Sequence, residues 1–336
     1  MRAAVFHEIG KPLTIETVPD PIPADGEVIV EVSHAGICGS DLHWSETPGV
    51  LQPGTILGHE FCGTIVDANH AQHAVGTRVA VLPIFPCWQC AECRDGHLFH
   101  CAAQKGVGYQ RPGAFAQAVA VDAKLVRQLP PGLSFQEGAL VEPLAVGYRT
   151  MSHARALQGA NVLVLGAGPI GSAVILFAVL GGAANVIVSE PSSGRRALAL
   201  SLGATATVDP HSDNVRERFS ALCGAPPDIV VECVGIPGMM AQAVDLVRSR
   251  GQILSAGGCY LPDTFIPVNA LLKEIVINFS LAYEVGDFEA VIDALAREGV
   301  KPEPLITDVT TLEQLPASFE ALRKPQNQCK VLVAVA

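Results

Sequence analysis

The chain has little positive charge and gathers none of it into a patch. Lysine and arginine total 22 against 33 acidic residues, for a net charge of −11 and a pI near 5.3. The closest basic pairs are Arg195 with Arg196 and Arg323 with Lys324. A nucleic-acid binder carries a basic stripe along one face, so no nucleic-acid partner is expected. The first residues, Met1 to Glu8, contain no apolar h-region and no cleavage site, which predicts no secretory signal. Ten cysteines in 336 residues do not suggest a disulfide framework, which belongs to short chains with small cores. A reducing cytoplasm is the expected location. Internal repeats and low-complexity tracts are also missing.

One stretch lacks charge altogether. Residues 156–189 contain no Asp, Glu, Lys or Arg, a length that could span a bilayer. Gly166-Ala167-Gly168-Pro169 and then Gly181-Gly182 interrupt it. The pieces predict a buried strand at 162–165 and a buried helix at 170–180. A strand–turn–helix inside a parallel sheet is apolar on all sides. An open Gly-Pro turn cannot face lipid, so no membrane partner is expected.

What is present is ample apolar material, 49% of residues with a mean hydropathy of +0.35. The length exceeds one comfortable core and suggests two domains. Up to about residue 126 the pattern is β-rich, with strands predicted at 28–32, 63–66 and 77–81 between closely spaced Gly and Pro. A helix at about 140–153, with Pro143 near its start, is expected to bridge the domains. From residue 161 short apolar strands at 162–165, 186–188, 206–208, 229–232 and 252–255 alternate with helical stretches such as 195–202 and 238–248. That alternation predicts a doubly wound parallel sheet. The tail predicts helices near 288–298 and 312–322 and a last strand at 330–335.

Four cysteines, Cys87, Cys90, Cys93 and Cys101, form a C-x2-C-x2-C-x7-C array. Thiolates this close repel one another unless a metal neutralises them. Two-residue gaps let neighbouring sulfurs reach one ion about 2.3 Å away in a tetrahedron, and four cysteines leave no open position. A structural zinc is the preferred reading. An iron–sulfur cluster of the bacterial type would place the fourth cysteine after three residues and before a proline; here it follows after seven and precedes Ala102. A disulfide pair or plain buried thiols are the remaining alternative.

Gly166-Ala167-Gly168-Pro169-Ile170-Gly171 is a G-x-G-x-x-G pattern. Alone it is weak, but here it follows a predicted strand and opens a predicted helix. Gly166 permits the tight turn, Gly168 lets backbone approach a pyrophosphate, and Gly171 lets the helix pack on the sheet. Pro169 and Ile170 begin the helix, whose N-terminus favours phosphate charge. Glu190 ends the next strand, where an acidic residue accepts hydrogen bonds from a ribose diol, which points to NAD and disfavours a 2′-phosphate. Arg195 and Arg196 complicate that choice, because a nearby arginine can accommodate the phosphate. A glycine-rich packing turn with a surface Glu is the plain alternative.

A second constellation is spread along the chain: Cys38-Gly39-Ser40-Asp41-Leu42-His43, then Gly58-His59-Glu60-Phe61-Cys62-Gly63, then Glu142-Pro143. Cys, His and Glu are ligand types for a catalytic zinc, with three from protein and one position open. Each fragment alone is weak, and His59 beside an apolar strand also reads as a core histidine.

Taken together with Asp228-Ile229-Val230-Val231-Glu232-Cys233-Val234-Gly235, these motifs make the whole chain resemble the zinc-containing medium-chain alcohol dehydrogenases, most closely their polyol, sugar-acid and threonine dehydrogenase branch. The resemblance implies an α/β protein: a β-rich GroES-like catalytic domain at 1–148, with a structural-zinc lobe at about 85–103, then a Rossmann domain at 149–282, and a segment 283–336 returning to the catalytic domain. It implies two Zn2+ per chain, NAD, a small-molecule alcohol as substrate and a homodimer or homotetramer. Cys38 and His59 would bind the catalytic zinc. Glu142 stands where the branch places a glutamate ligand; Glu60 is the other candidate, and Glu142 is favoured at rest. Asp41 would receive the other N–H of His59. Ser40 would hydrogen-bond the substrate oxygen, and His43 would carry the proton onward. Trp44 and Phe85 would line the substrate pocket. Cys233, Val234 and Gly235 would border the nicotinamide, and Arg195 would cover the adenine or its ribose. The chain departs from the family at 67–73, which lacks the usual glycines, and at Gln117, where an acidic residue is usual. Competing expectations are a zinc-independent or repurposed reductase of activated C=C bonds and a non-enzymatic zinc- and nucleotide-binding protein.

Overall fold

The computed structural model describes residues 1–69, 71–297 and 299–335. The chain divides into two compact units, one made of Met1–Glu142, Glu284–Ala296 and Ile306–Ala336, the other of Pro143–Tyr283 and Arg297–Leu305. The first unit opens with strands β1 (Arg2–Phe6), β2 (Thr14–Thr17) and β3 (Glu27–Gly36), then helix α1 (Gly39–Glu46), β4 (Thr55–Ile56), β5 (Glu60–Asp67) and β6 (Arg78–Val81). The cysteine lobe follows, with β7 (Ile84–Phe85), the short helix α2 (Ala91–Arg94) and β8 (Lys105–Gly106). Then come β9 (Ala118–Asp122), β10 (Val126–Gln128) and the long helix α3 (Phe135–Ser152).

α3 starts earlier than the sequence pattern suggested. Ser134 and Glu137 form a reciprocal capping box, with Ser134 N–H donating to Glu137 at 2.7 Å and Glu137 N–H donating to Ser134 Oγ at 3.2 Å. This satisfies two N-terminal donors and starts the helix one turn upstream of residue 140. Pro143 therefore lies inside the helix. The unit boundary falls at Glu142/Pro143 within α3, not at 148/149. Packing explains the shift. The Cys62 thiol donates to the Phe135 carbonyl at 2.8 Å, which ties the start of α3 to the first unit. Farther along, a Cβ on Gly147 would lie 2.5 Å from the Ala173 side chain of the second unit.

The second unit alternates β11 (Asn161–Leu165), α4 (Pro169–Leu180), β12 (Asn185–Ser189), α5 (Ser193–Ser201), β13 (Ala206–Val208), α6 (Val215–Cys223), β14 (Ile229–Glu232), α7 (Met239–Leu246), β15 (Gln252–Ser255), α8 (Pro267–Lys273) and β16 (Val276–Phe279). All neighbouring strands pair in parallel in the order β13-β12-β11-β14-β15-β16. This is the expected doubly wound sheet, with the strand order reversing between β11 and β14. Val162, Leu163 and Val164 are fully buried, so the charge-free run is sheet core. No helix among the described residues is long and apolar enough to cross a membrane.

The chain then returns with α9 (Val285–Ala296), β17 (Ile306–Thr311), α10 (Leu315–Ala321) and β18 (Lys330–Ala334). Residue 298, the expected end of α9, lies outside the described residues, as does residue 70 of the 67–73 stretch. Residues Arg297–Leu305 belong to the second unit, a detour inside the expected 283–336 return. In the first unit β18 joins β3 antiparallel and completes a sheet ordered β10-β6-β5-β3-β18-β17, with β9 also on β3; β2-β1-β4 form a second, smaller sheet. Fully buried Val28, Val30, Val32, Ile65, Val79 and Phe319 fill the core beneath them.

Packing between β3 and β5 is tight where Val32 pairs with Gly63. A Cβ at Gly63 would lie 1.9 Å from the Glu31 carbonyl oxygen. Gly63→Ala is therefore expected to lower stability by about 1–3 kcal/mol, the usual cost of overpacking. Gly132→Ala, with nothing within 4 Å, is the control and should melt like wild type. Equal melting temperatures for all three proteins by circular dichroism would show that β3 and β5 do not approach this closely.

Candidate active site

The four cysteines of the lobe converge, with their Sγ atoms all within 4.8 Å of one another. Cys93 and Cys101 are buried and Cys87 and Cys90 half-buried. Backbone amides donate to the sulfurs: Cys87 N–H to Cys101, Cys90 N–H to Cys87 and Cys93 N–H to Cys90, each at 3.4 Å. N–H groups aimed at sulfur favour the thiolate. The amides of Gln89 and Cys90 lower the Cys87 thiol to about 6, whereas burial and the neighbouring sulfurs push Cys93 up to about 12. Four thiolates cannot share this volume without a cation, and a tetrahedral dication suits the donor set. Trp88 anchors the lobe: its indole N–H donates to Asp122 at 2.7 Å and Lys124 lies 4.7 Å above its ring.

The second cluster brings together Cys38, His59 and Glu60, with one ligand atom of each within 4.8 Å of the others. Cys38 is the N-cap of α1, and Asp41, in the first turn, accepts from the Cys38 N–H at 3.0 Å. The other Asp41 oxygen accepts from the Gly58 N–H at 3.3 Å and sits 3.2 Å from His59 Nδ1. That last contact is off the hydrogen-bond line, so Nδ1 is a buried nitrogen without an aligned partner. Asp41 is fully buried. Burial acts against the His59 imidazolium, but the Asp41 carboxylate outweighs it and raises the His59 pKa well above the usual range. A metal bound at His59 would displace that proton. A thiol, an imidazole with an orphaned ring nitrogen and a carboxylate, converging in a buried spot, fit zinc with an open position.

Glu142 is 8% exposed on α3 and is not part of this cluster; among the described residues Glu60 takes the third place. Ser40 Oγ lies 3.2 Å from His59 Nε2. His43 stands three residues on from Ser40, on the same face of α1, with its Nε2 3.4 Å from Thr47 Oγ1. Trp44 reaches the cluster, its ring 5.4 Å from that of His59, and stacks on Tyr109 at 5.1 Å. The Phe85 ring instead has the Arg111 guanidinium on its face at 4.1 Å.

Sequence reasoning missed Lys330, whose Nζ lies 2.7 and 2.6 Å from the two Glu60 oxygens and donates to the Ile37 carbonyl at 3.1 Å. Both side chains are 1% exposed. Burial disfavours the ammonium, but Glu60 overrides it and holds the Lys330 pKa at about 12. Gly36 makes room, since a Cβ there would lie 2.1 Å from a Glu60 oxygen. A lysine opening an otherwise apolar strand was the available signal. Tyr109 was also missed, and no local pattern marks it.

In the second unit the glycine-rich turn has the geometry a dinucleotide needs. Gly166 has φ +91, and a Cβ on Gly171 would strike the Gly166 carbonyl oxygen at 2.0 Å. Gly168, the N-cap of α4, has nothing within 4 Å of its would-be Cβ, and no side chain caps the helix. Unfilled space beside uncapped N–H groups is a cradle for phosphate. Glu190, 4% exposed, accepts from Ala167 N–H at 2.8 Å and Ser192 N–H at 2.9 Å. Those bonds set it against the turn and leave lone pairs for further donors. Val234 packs toward Gly166, and Cys233 N–H donates to the Leu165 carbonyl at 3.0 Å, so the ends of β11 and β14 meet. Buried Glu232 accepts from Val234 N–H at 2.6 Å and Gly235 N–H at 2.8 Å and shapes that loop. Arg195 is half-buried in the first turn of α5.

The Glu60–Lys330 pair generates a stability test. Lys330→Met leaves a buried carboxylate without its counter-charge, a loss of about 3–5 kcal/mol. The double variant Lys330→Met/Glu60→Gln removes the stranded charge and should recover much of the loss. Urea unfolding midpoints distinguish the two, and a double variant as unstable as the single would refute the pairing.

Residues 24–131 match the family described as alcohol dehydrogenase GroES-like domain, and residues 169–297 match the zinc-binding dehydrogenase family. The sorbitol dehydrogenase of Bacillus subtilis is 32% identical over 347 residues, covering 99% of this chain and 97% of that protein. A zinc-binding dehydrogenase from Sinorhizobium meliloti, solved with NADP, superposes with a TM-score of 0.92 at 29% identity, covering 99% of this chain and 98% of that one. An E. coli alcohol dehydrogenase complexed with NADH has the same TM-score and identity over 99% of each chain. With both halves matched and the length accounted for, the chain belongs to the zinc-binding medium-chain alcohol dehydrogenases, on the polyol-dehydrogenase-like branch.

Proposed function

We propose that this dehydrogenase oxidises a secondary alcohol of the polyol or sugar-acid class with NAD, using one catalytic and one structural zinc. The observation that carries the proposal is the convergence of Cys38, His59 and Glu60 beside the α1 face that bears Ser40. A reductase of activated C=C bonds has no use for such a trio. When bound, zinc would supply Lewis acidity toward the alcohol oxygen and the nicotinamide coenzyme would accept hydride. Ser40 Oγ would accept the proton of the substrate hydroxyl as it gives up its own, and His43, on the same face of α1, would take that second proton onward. Trp44, stacked on Tyr109 and close to His59, offers an aromatic wall for the C–H face of the substrate. Glu142 is the ligand available on α3 should Lys330 keep Glu60. The likeness to a sorbitol dehydrogenase supports the polyol class. A second copy of this chain is the proposed partner: β16 is an edge strand, and beside it Leu271, Leu272, Phe279 and Leu281 are each at least 60% exposed. All ten cysteines are free thiols, in keeping with a reducing cytoplasm.

Metal analysis should find two zinc ions per chain that leave at different rates. The all-sulfur site is closed, so its metal should depart slowly and with loss of structure; the open site should lose its metal first, together with activity. Cys38→Ala should abolish turnover on a panel of polyols and sugar acids while NADH still binds. Fully active protein with one zinc or none, or a Cys38→Ala variant with wild-type kcat, would refute the assignment.

The coenzyme choice rests on Glu190, whose buried carboxylate would face a 2′-phosphate at close range and repel it. Wild-type kcat/KM is expected to favour NAD over NADP by about tenfold or more, a difference of about 1.4 kcal/mol. Glu190→Ser should narrow or reverse that ratio. Comparable kcat/KM for both coenzymes in the wild type would show that Glu190 does not receive the ribose.

A further inference from the structure

A second acidic residue stands behind Glu190. Arg196, on α5, bonds to the Glu190 backbone: its Nη1 donates to the Glu190 carbonyl at 2.8 Å and to the Pro191 carbonyl at 2.7 Å. The same nitrogen lies 3.0 Å from Asp209 Oδ2. Asp209 follows β13 directly, next to the end of β12, since Glu190 N–H donates to the Val208 carbonyl at 3.1 Å. Its other oxygen accepts the His211 N–H at 3.0 Å and fixes the turn. The arginine and aspartate side chains are 20% and 26% exposed, so solvent, and a ligand, can reach them. Both groups therefore sit at the carboxyl ends of adjacent parallel strands, the edge where ligands bind in this type of sheet.

An arginine placed there would ordinarily help a coenzyme that carries a 2′-phosphate. Here its charge is countered by Asp209, and its Nη1 is directed onto two carbonyls. We propose that Asp209 is a coenzyme-specificity residue that acts through Arg196, masking the guanidinium so that it does not offset the Glu190 charge at the ribose site. This rests on the assignment of NAD as coenzyme. It is a positioning role, because Asp209 itself need not touch the nucleotide.

The test is direct binding of NADH and NADPH to the full-length protein, by fluorescence titration, with no turnover required. Asp209→Asn keeps the oxygen that accepts from His211 and replaces the oxygen facing Arg196 with an uncharged NH2, which cannot accept from the guanidinium. It is expected to lower the Kd for NADPH relative to NADH by about tenfold, the scale of one hydrogen bond to a charged group. Asp209→Asn/Arg196→Met should return the ratio to that of wild type, since the unmasked charge is gone. Arg196→Met alone should leave the ratio within about twofold, because a cancelled charge contributes little to the difference between ligands; this holds the proposal to account even if Asp209→Asn folds poorly. An unmoved ratio in Asp209→Asn, or a double variant that keeps the altered ratio, or a large shift in Arg196→Met alone, overturns the role of Asp209. A wild-type protein that binds NADPH better than NADH would instead sink the NAD assignment.

Discussion

A carboxylate and an ammonium with 1% exposure each set a constraint on which the arrangement of the first unit depends. Neither charge tolerates burial alone. Glu60 opens β5 and Lys330 opens β18, with Gly36 of β3 between them, so the pair spans three strands and 270 residues of chain. The C-terminal strand must return to the first unit for either charge to be satisfied. The same crossing places Cys38 just past the end of β3 and His59 just before β5. A site for a dication is thereby assembled from chain segments that the sheet already holds in register, with the Lys330 ammonium occupying the carboxylate that a metal would compete for.

The second unit solves a different problem. Its central strands β11, β12, β14 and β15 are buried on both faces, so chemistry in the middle of the sheet can appear only at their ends. The residues proposed for the nucleotide begin at the carboxyl edge, with Gly166 after β11, Glu190 after β12 and Cys233 after β14. Two buried carboxylates shape that edge through backbone amides. Glu190 binds the amide of Ala167, and Glu232 binds those of Val234 and Gly235. A carboxylate that accepts amide hydrogens is fixed in place by them, so the position of each carboxylate and the geometry of its loop are one property.

What could be read from sequence was what repeats at short range. The four-cysteine spacing and the G-x-G-x-x-G turn encode their geometry within a few residues, and the strand–helix alternation of the second unit is a periodicity, so its strands fell within a residue or so of their observed ends. The sites in the first unit were legible only as fragments, because Cys38, His59 and their neighbours meet through sheet register. Glu142 and Glu60 could not be ranked by spacing; the cluster geometry favours Glu60. The start of α3 was misplaced because Pro143 outweighed the quieter Ser134/Glu137 capping box. Strand β16 was missed because its apolar run, 275–277, is only three residues long before Asn278, and β17 because polar residues interrupt its apolar pattern. Lys330, Tyr109 and Asp209 act through partners far away in sequence, and nothing local announces such a partner.

The two metal-type clusters differ in what they ask of the protein. Within the lobe, backbone amides lower the Cys87 thiol while burial, with the neighbouring sulfurs, raises that of Cys93. A bound dication would let all four sulfurs ionise, which couples the metal to the fold. Around His59 the charges are already balanced before any metal arrives, Asp41 against His59 and Lys330 against Glu60. Such a site can stay folded when empty and exchange its ligands. That difference is what separates a metal that holds a loop from one that leaves room for a substrate.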